Sequence, residues 1–170
     1  MFHGKKKAVT FSYDDGVTQD KRLIALLNKY GLKATFNLNS ELLGQENKLI
    51  RGGVEVRHTK VKPEEVKGLY QGHEIAVHTL THPNLTQQTQ AEVIRQVEQD
   101  RKNLEHLAGY DVIGMAYPGG GVNNNAAVAE ILRTQTSIQY ARTITSTYSF
   151  DLQENLYRFN PTVYHIMEED

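Results

Sequence analysis

The stretch that decides the fold is residues 7–38, KAVTFSYDDGVTQDKRLIALLNKYGLKATFNL. Its first part, residues 7–13, is rich in β-branched and aromatic side chains and predicts a strand that ends at a turn. Residues 18–30 predict an amphipathic helix with a buried stripe of Leu23, Ile24, Leu26 and Leu27. Residues 34–38 alternate apolar and polar side chains and predict a second strand. Two strands joined by a helix form a βαβ unit, which predicts parallel pairing.

The rest of the chain repeats this alternation of strands and helices. Further strands are predicted at residues 54–59, 73–77, 112–117, 137–142 and 162–165. Helices are predicted at residues 63–70, 89–107 and 124–134. Repeated alternation predicts an α/β fold with a parallel sheet or barrel, whose functional sites gather at the carboxyl ends of the strands.

The composition is that of an ordinary globular chain, and it excludes several classes of function. A length of 170 residues predicts one domain, residues 1–170. The formal net charge of −1 provides no broad positive field, so we expect neither nucleic-acid nor membrane binding. The chain has no cysteine, which excludes disulfides, thiolate nucleophiles and zinc sites built on cysteine.

The two ends of the chain bear on its location and completeness. No apolar signal core precedes the first predicted strand, so we expect a cytoplasmic protein, or an exported one whose leader has been removed. The chain stops abruptly after its last predicted strand. This is compatible with a closing C-terminal helix that lies outside the chain.

Two histidines four residues apart, His78 and His82, follow the apolar run 73–77. Side chains at this spacing face the same way on a helical turn, and two imidazoles placed so can close on one metal ion. Imidazole and carboxylate ligands suit zinc, cobalt, nickel or iron(II). The segment between the histidines is also compatible with the capped start of a helix. The other histidines considered are interpreted as structural or exposed: His3, His58, His73 and His106.

Two adjacent acids, Asp14 and Asp15, end the first predicted strand. Adjacent aspartates within a strand point to opposite faces, but at the turn that follows both can reach one cavity. Carboxylates so close repel each other unless a cation neutralises one of them. A metal would do this for Asp15 and leave Asp14 as a base, if the two strand ends lie side by side. The alternative is a turn with two solvated acids before Gly16.

Four segments, in order, resemble the motifs of the polysaccharide deacetylases, the carbohydrate esterase family that includes chitin, peptidoglycan and acetylxylan deacetylases. Residues 11–16, FSYDDG, resemble the first motif, of Thr-Phe-Asp-Asp-Gly type. Residues 78–82, HTLTH, look like the second, His-Ser/Thr-x-x-His. Residues 116–120, AYPGG, resemble the third, Arg-x-Pro-x-Gly, and residues 163–165, VYH, are similar to the last. The first two motifs together are highly specific, and the likeness spans nearly the whole chain.

The resemblance implies both a fold and an activity. The fold is a deformed (β/α) barrel with about seven parallel strands, and the activity is metal-dependent removal of an N- or O-acetyl group. By motif position, Asp15, His78 and His82 would hold a divalent metal, most often zinc, with Co²⁺, Ni²⁺ or Fe²⁺ as other options. The implied partner is a carbohydrate, an oligo- or polysaccharide that contains N-acetylglucosamine.

The resemblance also implies catalytic roles, with one departure from the family pattern. Asp14 would be the general base for a metal-activated water, the backbone N–H of Gly119 would stabilise the oxyanion, and His165 would be the general acid. The third motif normally opens with an arginine that orients the catalytic aspartate, and this chain has Ala116 there. We predict that Arg142, at the end of a neighbouring strand, reaches in to pair with Asp14.

Two other functions stay open. The chain has no tryptophan, so the family's fourth motif, an Asp/Trp segment, has no match. One alternative is a C–N hydrolase acting on a small non-carbohydrate amide, because a fold and a metal site do not fix the substrate. The other is a non-catalytic carbohydrate-binding protein that retains the metal. The presence of Asp14 and His165 argues against the second alternative, since a binding module needs neither base nor acid.

Overall fold

The βαβ unit predicted at the start of the chain is present in the computed structural model, which describes residues 8–164. Strand β1 (Phe11–Asp14) leads through helix α1 (Asp20–Lys29) into strand β2 (Ala34–Leu38). The two strands pair in parallel, with Asp14 opposite Asn37 at their carboxyl ends. Helix α1 buries Ile24 and Leu27 in the core. Leu23 packs against the same core, whereas Leu26, which was predicted for the buried stripe, is 45% exposed, so the stripe is correct at three of its four positions.

The remaining elements continue the alternation, apart from one hairpin. Strands β3 (Lys48–Arg51) and β4 (Val54–Arg57) pair antiparallel with each other. The later elements are, in order, helix α2 (Val66–Leu69), strand β5 (Glu74–Val77), helix α3 (Gln90–Ala108), strand β6 (Gly114–Ala116), helix α4 (Ala126–Gln135) and strand β7 (Tyr140–Arg142). Within residues 8–164, the main sheet has the order β1-β2-β5-β6-β7, and every neighbouring pair in it is parallel.

The prediction of an α/β fold of the deformed-barrel type is confirmed, with one refinement of the strand count. Seven strands lie in the described part of the chain, but five of them are parallel, while β3 and β4 form the separate hairpin. The hairpin turns at Gly52 and Gly53, whose φ angles of 54° and 77° suit glycine. Residues 162–164, the described part of the last predicted strand, are not a strand.

Helix α3 covers the sheet beside β5. The hydroxyl of Thr89 accepts a hydrogen bond from the backbone N–H of Glu92 at the start of the helix, and Gly109 ends it with a left-handed φ of 82°. Its buried apolar residues belong to the main core: Val93, Val97, Leu104 and Ala108. Neither α3 nor any other helix within residues 8–164 is both long and apolar enough to cross a membrane.

The main sheet curls until its two edge strands approach each other at their carboxyl ends. Strands β1 and β7 lie at opposite edges of the sheet. The guanidinium of Arg142 on β7 nevertheless donates hydrogen bonds to the Ser12 hydroxyl on β1, at 2.9 Å, and to the Asp14 carboxylate. The sheet is therefore an open, deformed barrel rather than a flat layer. Its strands direct their carboxyl ends toward one region, where α/β folds place their sites.

Candidate metal centre

The aspartate pair lies at the turn that follows β1. Asp14 is the last residue of the strand, and Asp15 leaves it with a left-handed φ of 82°. The backbone N–H of Asp15 donates to the carbonyl of Asn37 on β2 at 2.9 Å, so the turn stays attached to the sheet. Gly16 follows with a φ of 59°, and a Cβ atom there would lie 2.8 Å from Leu38 Cδ2. The backbone angle favours glycine at this turn, and any larger residue would also have to displace the end of the Leu38 side chain.

Residues 78–82 form a loop, so the helical turn expected from the four-residue spacing is wrong. Thr79 and His82 both have positive φ angles, 70° and 61°, which residues other than glycine rarely adopt. The Nδ2 atom of Asn39 donates to the carbonyl oxygens of His78, at 2.5 Å, and Thr79, at 2.8 Å. A buried side chain thus holds this unusual backbone in place.

Two buried polar side chains of α3 support the same loop. The side-chain amide of Gln96 makes two hydrogen bonds to Thr81, one to its N–H and one to its hydroxyl. The carboxylate of Asp100 accepts from the backbone N–H groups of His78, at 3.2 Å, and Ser40, at 2.7 Å. Burial raises the pKa of Asp100 to about 7. Sequence reasoning missed both residues, although their four-residue spacing on one side of a helix was an available signal.

The two histidines and Asp15 form a group of three side chains that could hold a metal. Their ligand atoms all lie within 4.8 Å of one another, and Asp15 Oδ1 is 3.7 Å from His82 Nε2. The Nδ1 atom of His78 is 2.8 Å from the carbonyl oxygen of Ala116. Because a carbonyl only accepts, Nδ1 carries the proton and the lone pair of Nε2 is left for a ligand. Two imidazoles and one carboxylate fit zinc or a similar divalent metal.

Two basic side chains that were not predicted for the site lie against Asp15. Lys60 Nζ is 3.1 Å from Oδ1, and its side chain is only 5% exposed. His58 Nε2 is 3.3 Å from Oδ2, so this histidine, expected to be structural or exposed, belongs to the site. His58 and Lys60 are two residues apart, and side chains at this spacing in an extended segment face the same way. This spacing was the signal in the sequence that the two could reach one site. The sequence does not reveal that this segment pairs with Val17, next to the aspartate turn.

The charges around Asp15 favour the protonation states that a metal site needs. Burial alone would raise the pKa of Asp15, but the Lys60 ammonium and the rings of His78 and His82 bring that pKa below its ordinary value. Burial lowers the pKa of His82, and the neighbouring His78 ring acts in the same direction. An ionised carboxylate and a neutral imidazole are the forms that coordinate metals.

Asp14 is oriented by two donors. Its Oδ1 atom accepts hydrogen bonds from Asn37 Nδ2, at 2.8 Å, and from the guanidinium of Arg142. Both donors also bond the Ser12 hydroxyl, each at 2.9 Å, so the four side chains form one network. The expected contact between Arg142 and Asp14 is present, although Arg142 comes from the opposite edge of the sheet and not from a neighbouring strand. Asn37, which is buried, was not predicted for the site.

The loop after β6 contains Gly119. It begins beside the metal-ligand group, since the Ala116 carbonyl bonds His78. Asn123 Nδ2 donates to the Gly119 carbonyl at 2.8 Å and fixes the loop. Gly119 has a φ of 79°, and a side chain built there would meet no atom within 4 Å, so the position faces open space. His165 lies outside the described residues, and its place in the site stays a prediction.

Relatives of the chain are found among deacetylases. It is 26% identical over 123 residues to the peptidoglycan-N-acetylglucosamine deacetylase PgdA of Listeria monocytogenes. This match covers 71% of this chain and 23% of that protein. It is 27% identical over 120 residues to a bifunctional xylanase/deacetylase of Pseudobutyrivibrio xylanivorans. That match covers 70% of this chain and 18% of that protein. The chain therefore spans less than a quarter of the length of either relative.

Solved structures share the fold, and a family profile shows the family. The Streptococcus pyogenes deacetylase PplD, solved with acetate, superposes with a TM-score of 0.74 at 21% identity, over 93% of this chain and 65% of that one. A family 4 carbohydrate esterase from Streptomyces lividans, also solved with acetate, gives a TM-score of 0.60 at 18% identity, over 83% and 63%. The profile described as polysaccharide deacetylase matches residues 3–139. The chain belongs to the polysaccharide deacetylase family.

Proposed function

We propose that the protein is a metal-dependent hydrolase that removes acetyl groups from N-acetylated sugars or glycans. The observation that carries the proposal is the placement of two adjacent aspartates in different surroundings. Asp15 faces the metal-ligand atoms of His78 and His82. Asp14 instead accepts a hydrogen bond from Arg142. One carboxylate is therefore available to a metal, and its neighbour is available as a base. Membership in the polysaccharide deacetylase family supports the same reaction.

The metal would be held by Asp15, His78 and His82. Zinc is our first proposal, and Co²⁺, Ni²⁺ and Fe²⁺ suit the same donors. A divalent ion bound there would supply the positive charge that lowers the pKa of a water molecule and polarises the acetyl carbonyl. The hydrogen bond that His78 Nδ1 donates to the Ala116 carbonyl would keep the Nε2 lone pair directed at the ion.

The chain's own groups would then move the protons. Asp14 takes a proton from the attacking water as the water oxygen bonds to the acetyl carbon. The backbone N–H of Gly119 donates to the carbonyl oxygen as negative charge develops on it. His165 gives a proton to the departing sugar nitrogen, and the C–N bond breaks. The products are acetate and the free amine, and proton exchange with solvent returns the base and acid to their starting states.

We propose an oligo- or polysaccharide that contains N-acetylglucosamine as the substrate. PgdA is named for the N-acetylglucosamine of peptidoglycan. The structures of PplD and of the Streptomyces lividans esterase each contain acetate, the product expected of this reaction. These relatives support an acetylated sugar over other amides. We propose that the single domain of residues 1–170 carries the site.

Acetate release from chitooligosaccharides tests the proposed function. The purified protein should contain a stoichiometric amount of divalent metal, and its release of acetate should stop with a chelator and return with added zinc. Acetate release that survives chelation would refute the metal-dependent mechanism. If metal is present but small amides are cleaved instead of any glycan, the C–N hydrolase alternative is favoured. If glycans bind and no bond is cleaved, the non-catalytic alternative is favoured.

Arg142 is proposed as the positioning residue for the base, in place of the arginine that the family carries at the position of Ala116. We expect Arg142→Ala to lower kcat about 10- to 100-fold, because Asp14 loses the donor that aims it. The metal content should not change, since Arg142 is not among the metal-ligand side chains. Steady-state kinetics with metal analysis measures both effects.

Two further variants make this prediction specific. Arg142→Lys keeps a cation near Asp14 and should recover part of the lost kcat. Arg133→Ala removes an arginine that pairs with Glu130 on the exposed surface of α4, and it should behave as the unchanged protein does. A kcat for Arg142→Ala equal to that of Arg133→Ala would show that Arg142 does not orient the base.

A further inference from the structure

Lys60 places a positive charge on the same carboxylate oxygen that faces the metal-ligand group. Its Nζ atom is 3.1 Å from Asp15 Oδ1. That oxygen is also the one 3.7 Å from His82 Nε2. The side chain of Lys60 is only 5% exposed, so its charge is not screened by bulk water as a surface lysine would be. The ammonium and a metal would therefore have to share one oxygen atom.

The backbone keeps Lys60 next to Asp15. The N–H of Lys60 donates to the Gln45 carbonyl at 2.9 Å, and the N–H of the next residue, Val61, donates to the Gly16 carbonyl at 2.8 Å. Lys60 also forms an isolated antiparallel bridge with Val17. Because the Val61 N–H and the bridge with Val17 attach this main chain to the residues that follow Asp15, the ammonium can leave Asp15 by rotation of its own side chain.

A second acid, Asp20, lies near the ammonium, and burial raises the pKa of its carboxyl to about 7. The carboxylate of Asp20, at the start of α1, acts electrostatically on Lys60. Asp20 is buried, and its Oδ2 atom accepts a hydrogen bond from the Tyr70 hydroxyl at 2.8 Å. His58 meanwhile remains on Oδ2 of Asp15, at 3.3 Å. The Asp15 carboxylate can therefore keep its orientation after the ammonium has moved.

We propose that Lys60 competes with the metal for Asp15 and sets the metal affinity of the site. Two cations at one carboxylate repel each other, and the repulsion is strong where the surroundings are buried. A metal on Oδ1 must either share this oxygen with the ammonium, against their repulsion, or displace it, and either event weakens metal binding relative to the same ligands without the lysine. The inference rests on the proposed metal centre, and it assigns Lys60 a role in affinity rather than in the acetyl transfer.

The test measures metal affinity directly. The protein is stripped with a chelator and titrated by calorimetry with Zn²⁺ and, separately, with Co²⁺. We expect Lys60→Met to bind both ions about 10- to 100-fold more tightly than the unchanged protein, because it removes the competing charge and keeps a similar volume. Lys60→Arg retains the charge and should stay within about threefold of the unchanged protein. Lys62→Met, an exposed lysine two residues along, should also stay within about threefold.

One result would overturn the inference. If Lys60→Met binds metal with unchanged or lower affinity, the competition does not occur. If that variant does not fold without metal, Lys60→Gln provides the same comparison, because it removes the charge and keeps a donor for Asp15. Acetate assays are kept separate. If Lys60→Met binds metal more tightly but the unchanged protein releases no acetate, the inference stands and the proposed hydrolase is refuted. If the unchanged protein releases acetate but Lys60→Met has unaltered metal affinity, the hydrolase stands and the inference is refuted.

Discussion

Asp14→Asn is expected to lower kcat for acetate release about 1000-fold while the protein still binds its metal. Asparagine cannot take a proton from water, but its side-chain oxygen can still accept from Asn37 and Arg142, so the network should persist. The metal-ligand atoms belong to other residues and should keep their affinity. Kinetics on chitooligosaccharides, together with metal analysis of the same preparation, measures both properties.

A surface aspartate serves as the matched control for this prediction. Asp111 is exposed, and Asp111→Asn makes the same chemical change outside the site. It should leave kcat and metal content unchanged. A kcat for Asp14→Asn within tenfold of the control would show that Asp14 is not the base. Loss of metal from Asp14→Asn would show instead that this carboxylate is a ligand.

His78→Ala is expected to lose both metal and activity. The variant removes one of three donors and also the bond that joins the ring to the Ala116 carbonyl. We expect the affinity for Zn²⁺ to fall about 100-fold or more, and acetate release to fall to background at micromolar zinc. Calorimetric titration and acetate release on the same protein sample test this.

Two comparisons separate loss of the ligand from loss of the fold. His78 is buried, so thermal melting of the stripped protein should be measured for His78→Ala and for His78→Gln, which fills more of the space. His106→Ala removes an exposed histidine of α3 and should bind zinc as the unchanged protein does. Zinc binding by a folded His78→Ala with unchanged affinity would contradict the proposed ligand set.

The sequence predicts those features that follow from local pattern. The βαβ start, the main helices and the grouping of Asp15 with His78 and His82 all follow from periodicity, turn residues and strand order. Parallel strands bring their carboxyl ends to one edge, so residues far apart in the chain can be assigned to one site without coordinates. The contact of Arg142 with Asp14 was predicted from strand order together with the family resemblance, because Ala116 stands where the family carries the arginine that orients the aspartate.

The features that sequence reasoning missed depend on where chain segments return in space. His58 and Lys60 reach Asp15 only because the segment after the β3–β4 hairpin pairs with Val17. Asn37 bonds Asp14 because β2 lies directly beside β1 in register. The loop of residues 78–82 was expected to be helical, although Pro83 disfavours helical backbone at the residue before it. The sequence itself therefore favours a loop over a helical turn at these residues.

The link between the two edge strands has a consequence for the order in which the site is completed. Asp14 and Arg142 are 128 positions apart in sequence, whereas Asp15, His78 and His82 all lie in the first half of the chain. A folding species that has assembled β1, β2, β5, α3 and β6 but has not yet docked β7 would already present the side chains proposed to bind the metal, because α3 and β6 hold His78 in place. It would not yet hold the base in place. If the proposed roles hold, the structure allows the metal ligands to assemble before the contact that orients Asp14 is formed.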